Sequence, residues 1–284
     1  MCYLQLTIVL AGGLLCQTAA DEPMGPQRDV TYAVVDGSEL KLDLYLTPKQ
    51  TQPLIVWVHG GAWRAGSKKD MPLAKLVAAG YPVASVDYRL SPVAKFPAQV
   101  HDIKAAIRYL RGRQAKLKID AKRIVIAGNS AGGHLAALVG VTNGHGELEG
   151  KVGDYVNQDS SVQAIVSFYG MSNLTSILGQ STPFGLNVRV PALELLLGGQ
   201  PDDKPELARL ASPVFHVDAN DPPLLLLHGD QDPQAPINQA HELDGKYQAL
   251  KLRSQLVVLH GSKHGGAEFF DESRLAMVRK FLEQ

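Results

Sequence analysis

The chain has 284 residues, of which 45% are hydrophobic and 20% are charged. A chain of this length and composition can bury a large core, and one α/β domain of this size is ordinary. Lys+Arg and Asp+Glu balance at 28 each, without a long run of either sign. The charge pattern therefore argues against a surface that binds nucleic acid or anionic membranes, and it favours a neutral substrate.

Residues 1–20 differ in composition from the rest of the chain. Residues 4–15 are apolar apart from Gln5 and Thr7, and residues 18–20 resemble the small-residue site at which signal peptides are cleaved. We therefore expect a secretory signal peptide at 1–20, followed by a domain at 21–284 that is secreted or periplasmic and has no stable membrane association. Since neither Lys nor Arg precedes the apolar run, an uncleaved anchor is the alternative.

Both cysteines, Cys2 and Cys16, lie within this first segment. Cys16 also admits a lipoprotein, although Gly13-Leu14-Leu15 is a poor match to the site that lipoprotein processing requires. The mature chain is predicted to have no disulfide, no thiolate metal site and no cysteine nucleophile. Export without cysteines is typical of a bacterial envelope or secreted enzyme that folds without disulfides.

The rest of the chain alternates between predicted strands and helices. Strands are predicted at 30–35, 40–46, 53–58, 81–86, 124–127, 162–168, 223–227 and 255–259, and helices at 73–79, 96–113, directly after Ser130, at 237–250 and at 269–282. Asp36-Gly37 between the first two strands is a hairpin signal. The alternation predicts an α/β fold with a mostly parallel central sheet and helices on both faces.

Two long connections interrupt this alternation. Residues 143–161 are polar and glycine-rich, which predicts a surface connection. Residues 170–214 are rich in Pro, Gly and Leu, with short helical patches at 174–178 and 192–197. We expect this second segment to be a small lid insertion that covers the functional site. In the helix at 96–113, apolar residues recur on one face and basic residues occupy the opposite face.

The stretch Gly128-Asn129-Ser130-Ala131-Gly132 joins a buried strand to a helix. The pattern Gly-x-Ser-x-Gly in this context predicts a nucleophile elbow, a turn so tight that the serine is strained and its hydroxyl exposed. The glycines leave room for the strand and the helix to pass close together. Ser130 is the candidate nucleophile, and the N–H of Ala131 can point at an oxyanion. A glycine-rich turn in another α/β protein would have the same pattern.

Acyl transfer by a serine also needs a base, a group that holds the base, and donors for the oxyanion. The loop after the strand at 223–227 offers Asp230 and Asp232. We favour Asp232 because it lies further out along the loop, whereas Asp230 is better placed to hold the loop together; both could be turn residues. The loop after the last strand offers His260 and His264. We favour His264 as the base because small residues flank it.

The loop His59-Gly60-Gly61-Ala62-Trp63 follows the strand at 53–58. Because its glycines lack side chains, backbone N–H groups can face a cavity there. Gly61 and Ala62, together with Ala131, are the candidate oxyanion-hole donors. An ordinary Gly-Gly turn is the alternative. However, the loops that carry the candidate serine, acid and histidine follow one another along the chain in the order of an esterase triad.

Taken together, these segments resemble the α/β-hydrolase fold, and within it the serine esterases and lipases related to hormone-sensitive lipase, in particular the branch like bifunctional feruloyl and acetyl-xylan esterases. The segments that carry the resemblance are His59-Gly-Gly-Ala-Trp, Asp87-Tyr-Arg-Leu-Ser-Pro, Phe96-Pro-Ala-Gln, Gly128-Asn-Ser-Ala-Gly-Gly, His228-Gly-Asp-Gln-Asp and His264-Gly-Gly. The resemblance implies that Ser130 is the nucleophile, His264 the base and Asp232 the acid. It also implies that Gly61, Ala62 and Ala131 form the oxyanion hole.

Two departures from the lipase pattern favour small carbohydrate-type esterases. Ala62 stands where the lipases usually have a third glycine, and the segment before Val30 is too short for their N-terminal cap. We therefore expect a serine carboxylic-ester hydrolase, without a metal or organic cofactor, that acts on short-chain or aromatic acyl esters of small molecules or carbohydrates. An arylformamidase-type amidase and a non-catalytic small-molecule binder on the same fold are the alternatives.

Overall fold

The structure is a computed structural model that describes residues 25–47 and 51–284, so the predicted signal peptide at 1–20 lies outside the described residues. Its centre is an eight-stranded sheet. The strands are β1 (Gln27–Val35), β2 (Ser38–Tyr45), β3 (Leu54–Val58), β4 (Val83–Val86), β5 (Ile124–Asn129), β6 (Ala164–Phe168), β7 (Leu224–Gly229) and β8 (Ser254–Leu259). Their order in the sheet is β1-β2-β4-β3-β5-β6-β7-β8.

The sheet is mostly parallel, as predicted. β1 and β2 form the predicted hairpin, β2 pairs with β4 in antiparallel orientation, and all pairs from β4 to β8 are parallel. The central strands β3, β5 and β7 are apolar and almost wholly buried because both faces of the sheet are covered. Their parallel alignment brings the loops that follow β3, β5, β6, β7 and β8 to one edge of the sheet.

Helices cover both faces. They are α1 (Ala74–Ala78), α2 (Ala98–Gly112), α3 (Gln114–Leu117), α4 (Ala131–Gly140), α5 (Gly146–Glu149), α6 (Ile177–Gln180), α7 (Pro183–Leu197), α8 (Pro205–Leu210), α9 (Asn238–Ala249) and α10 (Glu272–Leu282). One hydrophobic core lies between the sheet and α2, α4 and α9, and a second lies between the other face and α1 and α10. None of the helices in the described part of the chain is long and apolar enough to cross a membrane.

The connection at 143–161 lies mostly at the surface, as predicted, but it also makes charged contacts with α2 that the sequence did not indicate. It contains α5, and Glu149 at the end of that helix reaches Lys104 and Arg108 on α2. These two cations, which the sequence assigns to a basic face, are only 0% and 2% exposed. The Glu149 carboxylate lies 2.5 Å from Lys104 Nζ and 3.3 Å from an Arg108 nitrogen. Folding the connection over α2 therefore buries the basic residues and supplies their counter-charge.

The segment at 170–214 is more helical than its sequence indicates. The patch predicted at 192–197 is the last part of the 15-residue helix α7. Thr182 caps this helix by accepting a hydrogen bond from the Gly185 N–H, and Pro191 inside it obscures the helical pattern. α7 is fastened to the loop after β7, because the Thr182 hydroxyl donates to the Pro233 carbonyl at 3.0 Å. The role of the segment as a lid stays a prediction.

Candidate active site

Ser130 occupies a strained turn between β5 and α4. Its backbone has φ 53° and ψ −120°, a region that residues other than glycine rarely adopt. A Cβ at Gly132 would lie 2.0 Å from the Val58 carbonyl oxygen, and one at Gly128 would lie 2.4 Å from the Gly132 oxygen. Only glycine fits at either position, so the backbones of β3, β5 and α4 are in direct contact here. This is the geometry that the Gly-x-Ser-x-Gly pattern predicts.

The structure brings Ser130, His264 and Asp232 into one hydrogen-bonded chain. Ser130 Oγ lies 2.7 Å from His264 Nε2, and His264 Nδ1 lies 2.7 Å from Asp232 Oδ2. An ionised carboxylate only accepts hydrogen bonds, so Nδ1 carries the proton and Nε2 is left to accept the serine hydroxyl. The two hydrogen bonds therefore run in the direction that proton transfer from Ser130 to His264 requires.

The charge on Asp232 is held by its neighbours. Burial by itself favours the neutral acid, but hydrogen bonds from His228 and His264 hold the pKa of the Asp232 carboxyl well below its ordinary value. Its other oxygen accepts the backbone N–H groups of Gln234 and Ala235, each at 2.8 Å. Asp232 is therefore a fixed anion, and its side chain is 0% exposed.

Asp230 and His260 form a separate pair. Asp230 lies 2.8 Å from His260 Nδ1 and accepts the Gly261 N–H at 2.8 Å. The His260 side chain is 86% exposed. These contacts fasten the loop after β7 to the loop after β8, the kind of bracing role that the sequence suggests for Asp230. Of the two acid and two base candidates, Asp232 and His264 are the pair that the structure brings to Ser130.

The three candidate oxyanion donors lie around the serine. Val58 pairs with Gly128 in the sheet, so the loop that follows β3 begins beside the turn that carries Ser130. Gly61 has φ 103° and Ala62 has φ 52° in this loop. In the part of the chain that the structure describes, the N–H groups of Gly61, Ala62 and Ala131 donate to no other residue. Three unpaired donors beside a serine hydroxyl can bind a developing oxyanion.

A cavity of about 410 Å³ opens onto Ser130, His264, Gly61 and Ala62. It is also lined by side chains that the sequence did not single out, namely Arg64, Asn129, Tyr169, Arg189 and Gln234. An adjoining cavity of about 520 Å³ shares His264 and Gln234 and is bordered by Phe184, Pro233 and Lys263. The described residues contain no group of three or more His, Cys, Asp or Glu side chains that could hold a metal ion.

Tyr169 directly follows β6 and packs against the histidine. Its ring centroid lies 5.0 Å from that of His264, and its hydroxyl accepts a hydrogen bond from Asn129 Nδ2 at 3.1 Å. Burial raises the pKa of the Tyr169 hydroxyl to about 12, so it stays neutral. Its place at the carboxyl end of a parallel strand was the sequence signal that could have identified it.

A serine on the turn after β5, with an acid after β7 and a histidine after β8 on a mostly parallel sheet, defines the α/β-hydrolase fold. The family model BD-FAE matches residues 42–247, and the chain belongs to this family. The predicted fold and the resemblance to serine esterases are thereby confirmed.

Several similar proteins are named as esterases. The esterase LipC of Mycobacterium tuberculosis is 35% identical over 224 residues, which cover 77% of this chain and 54% of LipC. A carbohydrate esterase from gut microbiota, in truncated form, is 32% identical with a TM-score of 0.82, covering 93% of this chain and 97% of that one. A propionate-bound esterase, Est2 of Thermogutta terrifontis, is 28% identical with a TM-score of 0.69 and 90% coverage of each chain. This chain spans about half the length of the curated relatives it matches first.

Proposed function

We propose that the protein is a serine carboxylic-ester hydrolase with Ser130 as nucleophile, His264 as base and Asp232 as the acid that orients the base. The observation that carries the proposal is the hydrogen-bonded chain from Ser130 Oγ through His264 to Asp232, with two distances of 2.7 Å. Membership of the BD-FAE family and the esterase names of its relatives support the same chemistry.

The reaction follows from this geometry. Ser130 Oγ attacks the ester carbonyl carbon while His264 Nε2 takes the hydroxyl proton. The N–H groups of Gly61, Ala62 and Ala131 stabilise the tetrahedral oxyanion. Its collapse breaks the bond to the alcohol oxygen, which receives the proton from His264, and an acyl-enzyme remains. Water then attacks the acyl-enzyme with His264 again as base, which releases the carboxylic acid and restores Ser130.

The cavity sizes support esters with a short or aromatic acyl group. The 410 Å³ cavity at Ser130 is at the small end of the usual range for ligand sites. The alcohol must leave beside His264, because this residue protonates its oxygen, and the 520 Å³ cavity that shares His264 is suited to hold it. An acylated carbohydrate is our proposed alcohol component, supported by the similarity to a carbohydrate esterase that this chain matches over nearly its full length.

Hydrolysis of p-nitrophenyl acetate by the parent chain and by Ser130→Ala tests the proposal. We expect turnover by the parent and a loss of about 10⁴-fold or more in kcat for the variant, because the nucleophile is removed. Ser161→Ala, which changes a serine in the connection between α5 and β6, should keep the parent rate. Equal turnover by Ser130→Ala would exclude Ser130 as the nucleophile. Absence of turnover by the parent on this ester and on acetylated or feruloylated sugars would contradict ester hydrolysis.

A further inference from the structure

Arg189 is a buried cation that faces the candidate catalytic cavity. It lies on α7, it is 1% exposed, and it lines the same cavity as Ser130 and His264. Its Nη1 atom is buried and has no hydrogen-bond partner. Within residues 25–47 and 51–284, no carboxylate forms a salt bridge with it. A buried charge without a salt-bridge partner is costly, so an anionic ligand that pairs with Arg189 would be stabilised here.

The known contacts of Arg189 hold the side chain but do not neutralise it. Nε donates to the Gln234 carbonyl at 2.9 Å, and the guanidinium carbon lies 5.8 Å from the centroid of the buried Trp63 ring. Burial lowers the pKa of Arg189 to about 10, so the group remains charged at neutral pH. The negative charge of Asp232 partly opposes this lowering of the pKa, but the Asp232 oxygens already accept hydrogen bonds from His264, Gln234 and Ala235.

The surroundings of the cavity add to this positive charge. Arg64 lines the same cavity, and Lys263 lines the adjoining one. No Asp or Glu is among the described residues that line either cavity. Three cations without a facing acid produce a positive potential that concentrates anionic ligands, and low-dielectric walls strengthen it.

We propose that Arg189 binds a carboxylate of the substrate, so that the preferred esters carry an anionic group a few bonds from the scissile carbonyl. The inference rests on the proposed ester hydrolysis and specifies its substrate class. A planar guanidinium with a free nitrogen is well suited to carboxylate, which it can bind through charge-assisted hydrogen bonds. The carboxylate could belong to the acyl half, as in a half-ester of a dicarboxylic acid, or to the alcohol half, as in an acylated uronic acid.

A purely structural role for Arg189 makes a different prediction. The bond from Arg189 to the Gln234 carbonyl braces the loop that holds Asp232. If bracing were its only role, removing the guanidinium would slow the hydrolysis of charged and neutral esters by the same factor. Recognition of a carboxylate instead changes the ratio between the two kinds of ester.

The test compares kcat/KM for two matched pairs of esters. Monoethyl glutarate and ethyl 4-carbamoylbutanoate place a carboxylate or a neutral amide on the acyl half, and 4-acetoxybutanoate and 4-acetoxybutanamide do so on the alcohol half. We expect the parent to prefer the acid of one pair by about tenfold or more, which identifies the half that carries the charge. Arg189→Met should bring that ratio close to one, and Arg189→Lys should retain part of it. Arg279→Met removes a guanidinium from α10, at the other face of the sheet, and is the matched control for Arg189→Met.

Two results would overturn the inference. The first is a parent chain without preference for either acid, a measurement that does not depend on the folding of any variant. The second is an equal loss for acid and amide in Arg189→Met. Calorimetric titration of Ser130→Ala with glutarate and with glutaramide separates this inference from the proposed function. If Ser130→Ala binds glutarate and the double variant with Arg189→Met does not, the anion site is supported even if ester hydrolysis fails. Equal binding of glutarate and glutaramide would contradict it.

Discussion

Two opposing influences set the proton affinity of His264, namely its burial and the neighbouring Asp232 carboxylate. Burial disfavours the charged imidazolium and lowers the pKa of His264 below its ordinary value of 6.5, while hydrogen bonding and the negative charge of Asp232 partly oppose this shift. The imidazole is therefore neutral and able to accept a proton throughout the neutral range. Asp232 and His264 could be predicted because each lies in the loop after an apolar strand, in the order that the elbow motif requires.

The first prediction concerns the pH dependence of the proposed reaction. Because only neutral His264 can act as base, kcat/KM should fall as the pH drops through its pKa, with a midpoint below pH 6.5. Asp232→Asn removes the carboxylate that raises this pKa, so the midpoint should move to lower pH. The wrong imidazole tautomer should also reduce kcat by about 10³–10⁴-fold.

Profiles of kcat/KM with p-nitrophenyl acetate from about pH 4 to about pH 9 measure this dependence. Asp230→Asn is the matched control, since Asp230 pairs with the exposed His260 and not with His264; the midpoint of its profile should equal that of the parent. A parent profile that is flat through the acid range would exclude His264 as the base.

At the scale of elements, the site depends on how closely β5 and α4 pass the end of β3. A Cβ at Gly132 would meet backbone atoms of Val58 and His59, at 2.0 Å and 2.5 Å from their oxygens. These atoms belong to the sheet and to the loop with the candidate oxyanion donors, so they cannot move aside as a flexible side chain would. The position of Ser130 and that of the oxyanion loop are thus coupled through one glycine.

We expect Gly132→Ala to lower the free energy of unfolding by about 1–3 kcal/mol or more, because the added methyl overpacks a rigid contact. Activity should fall further than stability explains, since the loop with Gly61 and Ala62 shifts. Gly245→Ala is the control: it lies on α9 and a Cβ there would meet nothing within 4 Å. It should be neutral or stabilising by up to about 1 kcal/mol. Urea unfolding of the three proteins measures the difference, and equal stability of Gly132→Ala and the parent would contradict the close approach.

At the scale of the whole molecule, buried charges fasten the connection at 143–161 to α2. Glu149 holds Lys104 and Arg108, which lie 45 and 41 residues away along the chain. Burial is the largest influence on Glu149 and opposes its ionisation, but hydrogen bonds from Lys104 and Ser160 hold the pKa of its carboxyl below the ordinary value of 4.5. Glu149 therefore contributes stability that is present above pH 4.5 and is lost as the pH falls through its lowered pKa.

Removing this charge should destabilise the protein. Glu149→Gln leaves two buried cations without their counter-charge, a change that typically costs about 3–5 kcal/mol. We expect a value near the lower end, because the Glu149 side chain is 26% exposed. Glu147→Gln changes an exposed residue of the same helix and should have little effect. Urea unfolding at neutral pH and at a series of acidic pH values measures the loss. A difference from the parent that does not shrink as the pH falls would contradict the ion pair as its cause.

The sequence by itself determined the features that depend on local pattern and chain order. Alternating apolar runs and helical periodicity indicated a mostly parallel α/β sheet, and the Gly-x-Ser-x-Gly turn identified the strained Ser130. Asp232 and His264 followed from the same logic although 134 residues separate His264 from Ser130. Parallel strands all end at one edge of the sheet, so residues that follow different strands meet there whatever their distance along the chain.

Only the tertiary structure decided where the remaining charges lie. The balanced composition favoured a neutral substrate, yet folding brings Arg64, Arg189 and Lys263 to two adjoining cavities that no acid lines among the described residues. Arg189 lies on α7, in the connection at 170–214, whose sequence indicates only short helical patches. Glu149 lies at the end of α5, in the connection at 143–161, which the sequence predicts only as a surface connection. Burial and charge pairing depend on how such segments fold back onto the sheet, because electrostatic energy is set by distance and solvent exposure and not by position in the chain.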